Sequence, residues 1–290
     1  MLHRSSQRKV HEWPLFVLSV AIVAAIGFPL HQWLVDFAAD GTQQRFGRML
    51  LGWEQMACYV CFLWGSLILL SRYLEVRRQY RAFHLGLLSE EAGARILPED
   101  AHLLQRRAEQ IASRGGPYIL ANLIRLALGK FAVTRSTQDV SETIRAQADS
   151  DLGRLVSSMA TVHYLAWAIP AIGFLGTVRG LAMGIAGAGG SSEALQHAAE
   201  HLNVAFDCTL VALALSLPIM FMIHSVQRDE EAMVIDCQQY CMEHLVNRLY
   251  DLDKGSEDRG QKTEVRGQRS IADRSPLTPD SSPLSHSLEH

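Results

Sequence analysis

Four uncharged or nearly uncharged apolar blocks dominate this sequence and restrict what it can fold into. Pro14 to Leu30 holds seventeen residues without a charge. A second block runs from about Trp53 to Tyr73, with Glu54 and Arg72 near its ends. A third, from about Met159 to Ala188, carries Arg179. A fourth, from about Val204 to Val226, carries Asp207. About 20 mostly apolar residues in a helix cross the ~30 Å hydrocarbon core of a bilayer. All four blocks meet that length, the first narrowly. The expected fold is therefore an all-α membrane protein with four transmembrane helices.

Arg4, Arg8 and Lys9 before the first block also fit a signal peptide. Trp13, Pro14, His31 and Trp33 at its borders fit a membrane helix anchored at both interfaces better. Positive charge sets the expected orientation. The segments that would share one side hold 24 Lys and Arg, and the two that would share the other hold 2. Basic segments stay in the cytoplasm. Both termini and the middle segment are expected there, with two short outer loops.

The chain divides into an N-terminal membrane hairpin, 1–73, a helical cytoplasmic segment, 74–158, a membrane helix pair with a following cytoplasmic helix, 159–250, and a tail, 251–290. Pro98 suits the first turn of a helix carrying Leu103, Leu104, Ala108 and Ile111. Ile119 to Leu128 reads as a second apolar helix. Ser136-Thr-Gln-Asp139 has the form of a capping box. No proline follows before Pro170, so one continuous helix is expected from about Thr137 through the third block. The alternative is a break near Gly153. The tail has no aromatic residue and is rich in Ser, Pro, Asp and Arg, the composition of a disordered segment.

Several function classes find no support. The net charge of -3 gives no basic footprint for nucleic acid. Phosphate-loop, nucleophile-elbow, zinc-protease and dinucleotide signatures are missing from the sequence. No nucleophile–base constellation marks a catalytic residue, and no cofactor is expected. The five cysteines lack a zinc spacing and read as reduced or buried thiols, so no metal is expected.

The chemistry concentrates in the last two blocks. Ile169-Pro-Ala-Ile-Gly-Phe-Leu-Gly-Thr-Val-Arg-Gly180-Leu-Ala-Met-Gly184 places Gly176, Gly180 and Gly184 every fourth residue, with Gly173 a turn earlier. Such a face lets another helix approach closely. Pro170 and Pro218 are expected kinks. Thr177 either bonds back to its own helix or lines a polar path. Thr209 and Ser216 share a face of the fourth block. If Thr177 and Thr209 are level in antiparallel helices, Arg179 and Asp207 are level too. They are expected to form a buried ion pair, since a lone charge in hydrocarbon is costly. The rival reading has Asp207 facing the path and titrating. His163 and His224 lie near the cytoplasmic ends of these blocks, as ordinary interfacial histidines or as a proton exit relay.

Ile169 to Gly180, together with Ala205-Phe-Asp-Cys-Thr-Leu-Val-Ala-Leu213 and Pro218, resembles the channel domain of the MotA/TolQ/ExbB proton channel family. The resemblance covers about residues 150 to 230. The two N-terminal helices and long cytoplasmic segment look like the MotA arrangement, while the motif looks more like TolQ and ExbB. The resemblance implies an ion channel subunit, proton-conducting, of a motor in the bacterial cytoplasmic (inner) membrane. It implies a homopentamer around a dimer of single-span partners resembling MotB, TolR or ExbD, which bring an essential aspartate. It also implies that Thr177 and Thr209 line the ion path. A glutamate that TolQ and ExbB tend to carry about five residues before the second threonine is Val204 here. A scaffold or sensor without ion flux is the competing reading. A secondary transporter would need inverted repeats, which the sequence lacks.

Overall fold

The computed structural model describes residues 12–33, 47, 49–85, 105–106, 110, 118–187 and 192–249. Among these the regular structure is helical and no β-strand occurs. Six helices are long: α1 (Glu12–His31), α2 (Trp53–Tyr80), α3 (Ile119–Thr134), α4 (Thr137–Ser158), α5 (Ala160–Gly187) and α6 (Ser192–His244). Four stretches are long and apolar enough to cross a membrane, one on each of α1, α2, α5 and α6. The protein is an all-α membrane protein. The expected helix after Pro98 and the tail 251–290 lie outside the described residues.

Two apolar cores stack along the long axis. The membrane core joins α2, α5 and α6 through Leu69, Val162, Ile169, Ala212, Ile219 and Ile223. Large side chains on its outer surface, such as Phe174, Leu217 and Phe221, are exposed, an arrangement suited to apolar surroundings. α1 lies against α2, where the Trp64 indole N–H donates to the Glu12 carbonyl at 3.2 Å. Glu12 also accepts the Thr161 hydroxyl at 3.0 Å, which sets the starts of α1 and α5 level.

The second core lies in a helical extension beyond the apolar spans. α3 inserts Leu123, Ile124, Ala127, Leu128 and Phe131, spaced to fill one broad face. They meet Val140, Ile144 and Ala148 of α4 and Val234, Cys237 and Cys241 of α6. α6 alone, with 53 residues, runs roughly 80 Å and serves both cores. Ser136 caps α4 by accepting the Asp139 backbone N–H, and the helix starts at Thr137, as the capping sequence predicts.

The uninterrupted helix from Thr137 into the third block is corrected. α4 ends at Ser158 and α5 starts at Ala160, with Met159 as a turn between them. Gly153 sits inside α4, away from the break. The cause is only partly local. The Leu155 carbonyl accepts the Arg72 guanidinium at 3.2 Å and the Ser158 hydroxyl at 2.7 Å, while the Met159 N–H turns to Val156 at 3.1 Å. Competing donors tighten one turn and end the helix.

Asp151 is a liability in the extension, where Asp139, Glu142, Arg145, Asp149 and Arg154 on the same helix mark water rather than hydrocarbon. It is buried and its Oδ2 has no hydrogen-bond partner. Burial pushes its carboxyl above the usual range, with Gln147 and Arg154 pulling the other way. The folded state thus holds the proton more tightly than the unfolded chain. Its contribution to stability is present at low pH and is lost as pH rises through the raised value. Asp151→Asn is expected to unfold at higher temperature than wild type near neutral pH, by roughly 1–3 kcal/mol of added stability. The difference should vanish toward pH ~4. Thermal unfolding in detergent across that range measures it.

Candidate functional site: the α5–α6 seam

Small residues decide how α5 and α6 meet. A Cβ on Gly173 would stand 2.4 Å from the Ala212 Cβ. On Gly176 it would meet the Cys208 Cβ at 2.9 Å, and on Gly180 the Ala205 Cβ at 2.7 Å and the His201 carbonyl at 2.9 Å. On Gly184 it would meet the Ala198 carbonyl at 3.2 Å. At Gly173, Gly180 and Gly184 the α6 backbone itself comes close, and at Gly176 the Cys208 side chain does. Pro170 and Pro218 lie inside helices that continue through them.

This approach brings Thr177 and Thr209 to one level. Their hydroxyl oxygens touch. The Thr177 hydroxyl also donates toward the Gly173 carbonyl (3.1 Å) and reaches the Ala205 carbonyl (3.2 Å). Thr209 lies 3.4 Å from the Gly173 carbonyl and 3.5 Å from that of Ala205. So Thr177 does bond back to its own helix, and it also crosses to the neighbour. Four oxygens, two hydroxyl and two carbonyl, form one polar junction inside the apolar seam. Both threonines are half-buried. Ser216 is buried further along α6 and donates to the Leu213 carbonyl at 2.9 Å. His163 and His224 are exposed on the single chain.

The expected partner of Arg179 is corrected. Its guanidinium lies on Glu54 of α2, Nη2 to Oε1 2.6 Å, where the sequence paired it with Asp207. Register along a hairpin gives depth but not face, and α2 reaches the guanidinium from the side. Glu54 is 2% exposed, whereas the Arg179 side chain is 42% exposed. The Trp53 ring lies 5.0 Å from the guanidinium carbon. Beside this pair the Gln55 amide donates to Cys208 Sγ at 3.2 Å. All five cysteines are free thiols, four of them buried.

A second buried ion pair was missed. Arg72 of α2 grips Glu230 of α6 with two bonds, Nε to Oε1 2.8 Å and Nη2 to Oε2 2.9 Å. Its Nη1 donates to the Ser158 carbonyl (3.1 Å) and hydroxyl (2.7 Å). It sits between Leu69 and Met159 of the membrane core and Val76 and Leu155 of the extension core. The signal available in the sequence was a pair of opposite charges at the same ends of two apolar blocks.

No curated protein and no solved structure matches the chain. A family model does match, over residues 117–239, from the residue before Tyr118 to the far part of α6, leaving α1 and α2 outside. That stretch contains the glycine seam and the threonine junction, and the model it matches is that of the MotA/TolQ/ExbB proton channel family.

Proposed function

We propose that the chain is the proton-conducting subunit of a motor complex in the bacterial inner membrane. The observation that carries this reading is the Thr177–Thr209 junction within the family segment. A permeating ion needs oxygens in place of its water, and this junction groups four of them in an apolar seam. Ser216 extends the polar series along α6. The chain works as a channel rather than a catalyst. Glu54 lies on Arg179, and the acid that loads and unloads the proton is assigned, as the family match implies, to a single-span partner resembling MotB, TolR or ExbD. The subunits assemble as a homopentamer around a dimer of that partner. The extension of α3, α4 and the end of α6 lies in the cytoplasm with both termini, where the excess of basic residues falls. Exposed apolar side chains on α5 and α6 face neighbouring subunits and lipid.

Thr177→Val and Thr209→Val keep shape and remove the hydroxyl. Each is expected to lower proton uptake about tenfold, the factor for a lost hydrogen bond near 1.4 kcal/mol in the transfer step. The uptake is read in vesicles from cells making the chain together with its single-span partner. Both variants should still assemble. Unchanged uptake in both rejects the reading.

A further inference from the structure

We propose that Glu54 is a positioning residue for the channel, clamping Arg179 so that its positive charge does not oppose the passing cation. The inference rests on the channel reading above. Arg179 lies two residues from Thr177, about 3 Å along the helix. On an ideal helix its side chain leaves about 160° away from that of Thr177 but at nearly the same depth, so its charge reaches the junction through space rather than by contact. A free guanidinium there would repel a cation across a poorly screened distance. The structure instead anchors it at two points, the Glu54 carboxylate at 2.6 Å and the Trp53 ring at 5.0 Å.

Two features of the chain build this clamp. Glu54 stands in the first turn of α2, where the helix N-terminus favours an acid. It is almost fully buried, so its charge is directed at Arg179 rather than at solvent. Trp53 and Glu54 both lie outside residues 117–239. The charge on the channel helix is thus balanced by a helix that the family segment does not include.

The test uses the full chain with its single-span partner in vesicles, with assembly followed in detergent. Glu54→Gln should assemble and take up protons on the order of tenfold more slowly. Adding Arg179→Gln to it should restore most of the uptake, because no charge is left to hold aside. Glu54→Asp should fall between wild type and Glu54→Gln. Full uptake in Glu54→Gln overturns the clamp. So does a double variant that assembles yet is as slow as the single, since the Glu54 charge would then be needed for itself. If Glu54→Gln does not assemble, the double variant decides: assembly with uptake supports the clamp, and failure to assemble makes the pair structural and overturns it. Wild-type vesicles without uptake remove the channel reading, and this inference with it.

Discussion

Arg72→Ala should cost about 3–5 kcal/mol of stability, the typical loss when one side of a buried ion pair is removed. The variant leaves Glu230, 3% exposed, without its two guanidinium bonds. It also removes the donors that reach the carbonyls of Leu155 and Ser158 at the end of α4. Glu230→Gln should cost less, because Arg72 keeps those carbonyls as acceptors. The two changes should be strongly non-additive. Once Arg72 is gone, replacing the stranded Glu230 should cost little or even restore some stability. Arg72→Lys should rescue poorly, since an ammonium cannot reproduce the flat fork that serves a carboxylate and two carbonyls together. Thermal unfolding of the four proteins in detergent gives the cycle. An Arg72→Ala protein as stable as wild type would show that the pair adds nothing to the junction.

This junction explains where the sequence was readable and where it was not. The spans were legible because each is a local property: an apolar window of sufficient length. The level of Thr177 and Thr209 was legible as well, because they are the only threonines deep in the last two apolar blocks and the family resemblance places both on one path. The glycine seam followed from a four-residue repeat. Each misjudged feature involves α2. Glu54 meets Arg179 and Arg72 meets Glu230 over separations of more than a hundred residues, where spacing carries no information. The break at Met159 shares that origin in part: an arginine from α2 joins the Ser158 hydroxyl on the Leu155 carbonyl, and the Met159 N–H turns to Val156. The register of the α5–α6 hairpin points Arg179 at Asp207, but it carries no trace of α2, which brings Glu54 to the same depth.

Gly173→Ala should disrupt the channel pair more than an alanine at any other glycine of the seam. The new Cβ would lie 2.4 Å from the Ala212 Cβ and 3.3 Å from the Cys208 carbonyl. Neither neighbour is the free end of a flexible side chain, so the helices themselves must move apart. Overpacking of this kind costs about 1–3 kcal/mol, and more where backbone is displaced. The functional loss should exceed the loss of stability. The Gly173 carbonyl is one of the four oxygens of the threonine junction, and it lies 3.1 Å from Thr177 Oγ1 and 3.4 Å from Thr209 Oγ1. Pushing α5 from α6 by even 1 Å pulls both hydroxyls out of range of the facing helix, because hydrogen bonds weaken quickly past ~3.5 Å. Ala212→Gly in the same chain removes the facing Cβ and should recover much of both assembly and proton uptake. Gly184→Ala is the control: its closest approach is 3.2 Å, at the Ala198 carbonyl, two to three turns from the threonines. It should leave uptake nearly unchanged. A Gly173→Ala protein that conducts like wild type, or a pair with Ala212→Gly that gains nothing, would mean that the spacing of the two helices at the threonines does not set the conductance.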